Sequence, residues 1–379
     1  RSAQRAPVGQ QSRCSTLNRP QRNRFPVPTF YINAKTQHEN LGDAVITRQL
    51  IELSRQLGPV RVQTVNIPAH FQKTLHLSPG EAVPTVSAFL ISLIKAGLMW
   101  RFGAKRSSGP VIYLLNPGGF EGDYRGVQVV RQYVLVVAYV FLRLLGVRLM
   151  RIGCSLGPFG PRRLAIERLK SRLLSHFSAR DPISIDYAAS HGLGRPTYFP
   201  DLAFLLATPV QPRVPTTHPV IGLSFRRING NPRCDSKVTA MLQRIVSTAP
   251  EGTRYLFVTQ VSFDQQRQRE LSEQLGIAHC SEHIDVTSDL AGAEAAYRHT
   301  DLVFSNRLHV LQIAMRQGAR TIALLDRDKN RKIVGILEAI GFGDCIWDIN
   351  SDLQPHFEDA LYPDPARGDR AFSAQSQKA

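Results

Sequence analysis

The segment Asp301-Leu-Val-Phe-Ser-Asn-Arg-Leu-His309 takes the chain from a buried strand into a helix. Its apolar start is typical of a core strand, and Val310-Leu-Gln-Ile-Ala-Met-Arg-Gln has the spacing of a helix that Gly318 stops. Arg320-Thr-Ile-Ala-Leu-Leu325 is then the next strand. A strand–helix–strand unit of this kind predicts a parallel α/β sheet, which binds ligands at the carboxyl ends of its strands.

Arg307 and His309 stand at that strand-to-helix junction. A helix start offers unpaired N–H groups and a partial positive charge, and a guanidinium binds oxyanions through two parallel hydrogen bonds. A histidine titrates near neutral pH and can both give and take a proton. The junction therefore predicts an anion site with an acid–base group beside it.

Strands and helices alternate in the same way along most of the 379 residues. This alternation predicts two Rossmann-like, doubly wound α/β domains that face each other across a cleft, the architecture called GT-B. The predicted domains span 29–207 and 220–362, and the proline-rich stretch 208–219 is the predicted linker. The basic tail 1–28, rich in Arg, Gln, Pro and Ser, and the tail 363–379 are predicted to be disordered.

Single elements follow from the same patterns. The predicted strands are 28–33, 60–67, 111–115 and 147–153 in the first domain, and 220–225, 254–258, 301–305 and 321–325 in the second. A helix is expected to begin at Asp43 as its N-cap. The longest apolar run, Tyr133–Leu142, is too short for a membrane span and is expected to be a buried core helix. In the alternative, its flanking arginines contact a membrane surface.

The composition limits the partners. A net charge of +17 and a pI near 10.1 indicate anionic partners. No nucleic-acid partner is expected, because no basic stretch is interleaved with aromatic residues as in nucleic-acid-binding proteins. The five cysteines include no close pair, which fits a reducing, cytoplasmic compartment. Asp326-Arg-Asp328 is too weak a pattern to predict a metal, and no metal or other cofactor is expected.

Four loops that follow predicted strands have the composition of ligand-facing turns. Their glycines let the backbone come close to a ligand, and an arginine directly after a strand suits an oxyanion. The residues are Asn40, Gly42 and Asp43 in the first loop, Gly118 and Gly119 in the second, Gly157 in the third and Arg226 in the fourth. Asp181, which precedes Pro182, has instead the pattern of a helix N-cap, and Asp201 is also expected to be structural.

The order of these motifs closely resembles that of the polysaccharide pyruvyl transferase family over roughly residues 30–345. The motifs that carry the resemblance are Asn40-x-Gly42-Asp43, Gly118-Gly119, Gly153-x-x-x-Gly157-Pro158-Phe159, Arg180-Asp181-x-x-Ser184, Pro200-Asp201, Ser224-x-Arg226, Asn306-Arg307-Leu308-His309 and Lys329. The Arg-Leu-His element is the most specific of them. Two departures stand at Cys154-Ser155, where a glutamine is common after the glycine, and at Asn116-Pro117, where a further glycine is common.

The resemblance implies transfer of a pyruvyl group from phosphoenolpyruvate to sugar hydroxyls, with formation of a pyruvate ketal. The acceptor would be an exopolysaccharide, a cell-surface polysaccharide or its lipid-linked precursor, bound by the N-terminal domain. Carried over residue by residue, Arg226, Arg307, the main chain at Leu308 and Lys329 would bind phosphoenolpyruvate, and His309 would be the general acid–base. The protein is expected in the cytoplasm, with peripheral contact to an anionic membrane face as a further expectation.

Two alternatives stay open on the sequence. A GT-B glycosyltransferase with a nucleotide-sugar donor has the same architecture, and a non-catalytic glycan-binding protein could carry a decayed site. The presence of both arginines together with His309 argues against decay.

Overall fold

The computed structural model describes residues 26–103, 109–206, 218–228 and 232–351. The strands are β1 Thr29–Asn33, β2 Val60–Gln63, β3 Ala82–Val83, β4 Val111–Leu115, β5 Gly118–Gly122, β6 Arg148–Phe159, β7 Leu174–Ala179, β8 Thr197–Tyr198, β9 Val220–Ser224, β10 Arg254–Thr259, β11 Ser281–Asp285, β12 Leu302–Ser305, β13 Arg320–Leu325 and β14 Ile346–Asp348. The helices are α1 Leu41–Leu57, α2 Ala69–Thr74, α3 Val86–Phe102, α4 Val127–Leu144, α5 Pro161–Leu173, α6 Pro182–Ser190, α7 Pro232–Thr248, α8 Gln265–Gln274, α9 Leu290–Arg298, α10 Leu308–Arg316 and α11 Arg331–Ala339. The predicted tails and linker lie mostly outside the described residues.

The strands form two parallel sheets. The first has the order β3-β2-β1-β4-β6-β7-β8, with β5 paired to the end of β6, and the second has the order β11-β10-β9-β12-β13-β14. Each order runs outward in both directions from the first strand of its sheet, so each sheet is doubly wound. The predicted α/β fold of two Rossmann-like domains is confirmed.

The ligand-binding position of such a sheet is where the strand order reverses, at the carboxyl ends of the two central strands. In the second sheet these strands are β9 and β12, and Ser224 lies opposite Ser305 in their register. The side chain of Asn306 joins the loops that follow them: Oδ1 accepts from the backbone N–H of Arg226 at 2.9 Å, and Nδ2 donates to the carbonyl of Arg226 at 3.0 Å. This clamp fixes Arg226 beside Arg307.

The two domains share a hydrophobic core. One cluster of buried side chains includes Ile46 and Leu50 of α1 together with Val310 and Ile313 of α10. Backbone contacts reinforce it, because the N–H of Leu41 donates to the carbonyl of Gln260 at 3.2 Å across the domain boundary. Helix α1 of the first domain and helix α10 of the second therefore meet directly, and both begin at the cleft.

Some expectations for single elements were wrong. Helix α1 begins two residues earlier than predicted, with Asn40 rather than Asp43 as its N-cap. Strand β6 continues to Phe159, past the predicted end at residue 153. Helix α4 contains the run Tyr133–Leu142 but is not a core helix, since Leu142 is its one buried residue. An apolar run of this length looks the same in a buried helix and in an exposed one.

A network of hydrogen bonds between buried polar side chains stabilises the C-terminal part of the first domain. Arg180, which is 1% exposed, forms an ion pair with Asp201 and donates from Nε to Ser155 at 2.8 Å. Asp181 is the N-cap of α6, as predicted, and accepts from the N–H of Ser184 at 2.7 Å. Its other oxygen accepts the hydroxyls of Ser155 and Ser184, at 2.9 and 2.8 Å.

Replacement of Asp181 by alanine should therefore be costly. It removes a cap and leaves two buried hydroxyls without their acceptor, so the free energy of unfolding should fall by about 3 kcal/mol in chemical denaturation. Asp289 is the matched control, because it caps α9 through Gly292 at 3.0 Å on the exposed surface. Asp289→Ala should cost about 1 kcal/mol. Equal losses in the two variants would contradict the role given to the buried network.

Candidate functional site

Two arginines meet at the reversal point of the second sheet. Arg226 follows β9 and Arg307 is the N-cap residue of α10, and both line a cavity of about 590 Å³. The cavity is also lined by Gln37, from the loop after β1, so both domains contribute to it. The structure thus brings together the two guanidinium groups that the sequence predicted at one anion site.

The two arginines differ in their partners. Arg307 forms a two-point ion pair with Asp264, in which Nε and Nη2 donate to its two carboxylate oxygens at 2.7 and 2.6 Å. Arg226 has no ion pair among the described residues, and its Nη2 contacts only the amide oxygen of Asn330, at 3.3 Å. Partial burial and the like charge of Arg307 lower the pKa of Arg226. An incoming anion would supply the negative charge that Arg226 lacks.

His309 does not line the arginine cavity and lies against the first turn of α1. A Cβ placed on Gly42 would stand 1.8 Å from Nδ1 of His309, so only glycine allows the helix to approach the ring. The Nε2 atom of His309 is buried and has no hydrogen-bond partner among the described residues. The sequence predicted that a ligand comes close to the backbone at Gly42, whereas in the structure the imidazole of His309 occupies that position.

The surroundings of His309 keep it neutral. Burial lowers its pKa from 6.5 to about 4, Arg180 and Lys332 act in the same direction, and Asp201 and Asp43 oppose them. Asp201 itself stays ionised, because the charge of Arg180 outweighs its burial and lowers its pKa. A neutral imidazole with an unused nitrogen can accept a proton once a nearby anion stabilises the charged form.

Lys332, in the first turn of α11, is the second cation that acts on His309, besides Arg180. A Cβ on Gly119 would lie 2.7 Å from its Nζ, so the glycine lets the lysine pass close to β5. Burial and the charge of Arg180 lower the pKa of Lys332 to about 8. Glu121 acts electrostatically on both Lys332 and Arg226 and raises the pKa of each.

The other predicted residues divide between the cleft and its supports. Gly119 and Gly157 line a small cavity of about 60 Å³ together with Lys332. Asn40 caps α1, and its Nδ2 donates to Asp43 at 3.2 Å, so this pair orients the helix that touches His309.

Three further predicted residues have other surroundings. Gly118 has a φ of 125°, a conformation that favours glycine, and Leu308 is buried in a hydrophobic cluster. Lys329 does not line the arginine cavity: its Nζ lies 3.4 Å from Asp326 and 3.6 Å from the sulfur of Cys234. Within the described residues, Asp326 and Asp328 belong to no group of three or more side chains that could hold a metal ion.

The comparison with known families decides the identity. The polysaccharide pyruvyl transferase family model matches residues 40–327, most of the chain. The chain belongs to the polysaccharide pyruvyl transferase family. None of the curated proteins matches its sequence significantly.

Solved structures agree on the fold. Crystal structures of Anabaena Alr3699/HepE in complex with UDP and with UDP and glucose are 12% and 14% identical to the chain, with TM-scores of 0.55 and 0.56, and each match covers 92% of this chain and 94% of that one. The predicted GT-B-like architecture is confirmed.

Two parts of this transferase's site could not be seen in its sequence. Asp264 and Lys332 lie in ordinary helical surroundings in the sequence, with no spacing that sets them apart. Asp264 reaches Arg307 only because β10 and β12 lie on either side of β9. Lys332 reaches Gly119 only because α11 of the second domain packs against the first.

The first domain of the transferase has a second polar cavity, of about 220 Å³, at the carboxyl ends of β1 and β4. Glu167 holds its two buried cations, Arg151 and Lys170, at 2.9 Å each. These cations outweigh burial and lower the pKa of Glu167 to about 2. Tyrosines 113, 124 and 139 also line this cavity.

The contact between Gly42 and His309 can be tested by whether Gly42→Ala raises or lowers the free energy of unfolding. Helix propensity alone would make Gly42→Ala stabilising by about 1 kcal/mol. Because the added methyl would overlap the imidazole, we expect a loss of about 2–3 kcal/mol in the free energy of unfolding instead. Gly343→Ala is the control, since the nearest atom to its Cβ would be 3.5 Å away. A stabilised Gly42→Ala protein would contradict the contact.

The lowered pKa of His309 gives a second test, in the pH dependence of stability. Between pH 6.5 and about 4 the unfolded chain binds a proton that folded His309 does not, so stability falls as the pH falls through this window. His309→Gln should remove up to about 3 kcal/mol of this loss in denaturation series from pH 7 to 4. His176→Gln, at an exposed strand position, should leave the profile unchanged. Parallel profiles for the wild type and His309→Gln would contradict the assignment.

Proposed function

We propose that this transferase moves a pyruvyl group from phosphoenolpyruvate to two hydroxyls of a glycan and forms a pyruvate ketal. The observation that supports this most is Arg226, a guanidinium without an ion pair among the described residues, clamped beside Arg307 at the reversal point of the second sheet. Phosphoenolpyruvate carries a phosphate and a carboxylate, and guanidinium groups bind both through paired hydrogen bonds.

In the proposed complex, the donor lies in the arginine cavity. Arg226 takes one oxyanion directly, and the amides of the first turn of α10, at Leu308 and His309, face the same negative charge. Arg307 is already held in place by Asp264, so it contributes positive charge in a fixed position. Lys332, which lies beside Gly119 in the neighbouring small cavity, is the proposed further cation for the donor, since Asp326 holds Lys329 elsewhere.

The proposed chemistry needs one proton donor and two proton acceptors. The methylene carbon of the donor takes a proton, and positive charge builds on the carbon that bears the phosphate oxygen. A sugar hydroxyl adds to that carbon and loses its proton, and the carbon–oxygen bond to phosphate then breaks. A second hydroxyl adds and loses its proton, so that one released proton restores the acid and the other leaves with phosphate.

His309 is the proposed acid–base group. In the donor-free protein it is neutral, since burial lowers its pKa to about 4. The negative charge of bound phosphoenolpyruvate would raise that pKa, so the imidazole gains a proton only when the donor is present. Asp201, held ionised by Arg180, would stabilise the charged imidazole. The site would then withhold the proton until there is a substrate to receive it.

The proposed acceptor side is the first domain. Its tyrosine-lined cavity of about 220 Å³ suits a sugar ring, and its cations suit an acidic glycan. The acceptor would be an oligosaccharide, a polymer or a lipid-linked precursor. Because phosphoenolpyruvate is a cytoplasmic metabolite, we place the reaction in the cytoplasm.

Calorimetry with phosphoenolpyruvate and with a panel of nucleotide sugars tests the donor. We expect saturable binding of phosphoenolpyruvate, and Arg226→Ala should weaken it at least about 100-fold, since a hydrogen bond to a charged group contributes roughly 1.5–3 kcal/mol and the guanidinium makes two. His309→Gln should still bind the donor but form no ketal, as followed by phosphate release and mass spectrometry of the glycan.

Arg254→Ala is the matched control for the arginine. Arg254 stands at the start of β10, at the end of the sheet opposite the cleft, and its side chain is 70% exposed. It should bind phosphoenolpyruvate like the wild type. Tight binding of a nucleotide sugar without any response to phosphoenolpyruvate would contradict this proposal and would indicate a glycosyltransferase instead. Ketal formation at the wild-type rate by His309→Gln would remove the role given to the histidine.

A further inference from the structure

The exposed apolar residues of the described chain are concentrated on two helices. Of the nineteen large apolar side chains that are exposed, fourteen belong to α3 or α4. They are Val86, Leu90, Ile91, Leu98, Met99 and Phe102 on α3, and Val127, Val130, Tyr133, Val134, Val137, Val140, Phe141 and Leu144 on α4. Such a concentration marks an interaction surface, because a soluble surface normally carries such residues singly.

The two helices lie side by side on one face of the first sheet. Phe89 and Leu93 of α3 and Leu142 of α4 belong to one buried cluster with Tyr113 of β4. The helices also touch where α4 ends, since a Cβ on Gly97 would lie 3.1 Å from the carbonyl oxygen of Leu145. The exposed apolar side chains of both helices therefore lie on the same side of the first sheet, which we call the α3–α4 face.

The charges on these helices have one sign. Neither helix contains an aspartate or a glutamate, and their four charged residues, Lys95, Arg101, Arg131 and Arg143, are all exposed cations. An apolar face with cations and no acids matches a bilayer surface that contains anionic lipid. It fits the surface of another protein less well, because nothing on it could pair with that protein's basic residues.

The fold decides how such a face could meet a bilayer. Helix α4 is long and apolar enough to cross a membrane by length and composition alone. However, α4 connects β5 and β6, which are paired in the same sheet, so a membrane-spanning α4 would break the pairing of these two strands. A helix fixed in this way can only lie along the membrane surface.

We propose that the α3–α4 face docks this protein onto a membrane that contains anionic lipid. The docked face continues into the polar cavity of the first domain, because Gln132, Leu135 and Tyr139 of α4 line that cavity together with Arg151 and Lys170. A sugar chain anchored in the bilayer would then emerge beside the cavity. The docking itself does not depend on the identity of the donor.

Sedimentation of the full chain with vesicles tests the proposal. We expect the protein to pellet with vesicles of phosphatidylcholine and phosphatidylglycerol, less with phosphatidylcholine alone, and less at high salt. Val134 and Val137 are 63% and 68% exposed, so their replacement should leave the fold intact. Val134→Glu with Val137→Glu should lower the partition coefficient by at least about 10-fold, since even one buried valine contributes about that much.

Leu57→Glu is the matched control, because Leu57 is 62% exposed and lies on α1, away from the α3–α4 face. It should bind vesicles like the wild type, while circular dichroism checks that all variants are folded. Equal vesicle binding by the wild type and the double variant would overturn the proposal. So would a wild type that ignores anionic vesicles and instead forms a dimer, in analytical ultracentrifugation, that the double variant breaks.

Discussion

The contact of His309 with Gly42 joins the two domains at the point where their chemistry would meet. Helix α1 and helix α10 both begin at the cleft, and the imidazole of one fills the space that the glycine of the other leaves open. Because a single methyl group would close that space, the spacing of the two helices is fixed to within an atom's width. The shared hydrophobic core behind the contact keeps the helices in place.

The charged residues around this contact have opposing effects on the pKa of His309. Arg180 and Lys332 disfavour a proton on His309, whereas Asp201 and Asp43 favour it, and burial decides for the neutral form. One additional negative charge near His309 would therefore raise its pKa and favour the protonated form. On the proposed function, the donor supplies that charge, so donor binding and proton availability are coupled.

Helix α4 shows where sequence patterns stop being informative. Local periodicity and residues with special backbone properties predicted the parallel sheets, the arginines at strand ends and the glycine-containing loops. They also predicted the strand and helix that meet at the start of α10. Whether an apolar helix is buried depends on what else packs against it, and nothing in Tyr133–Leu142 records that. Asp264 and Lys332 were missed for the same reason, since each gains its partner only through the tertiary arrangement.

The titration of His309 with and without the donor tests the central claim most directly. With ¹⁵N-labelled histidine, and His309→Gln to assign the signal, NMR gives the pKa of this one imidazole. We expect a pKa well below 6.5 in the free protein, near 4, and a rise of at least about one unit when phosphoenolpyruvate is bound. An ordinary value near 6.5 in the free protein, unchanged by the donor, would contradict the account.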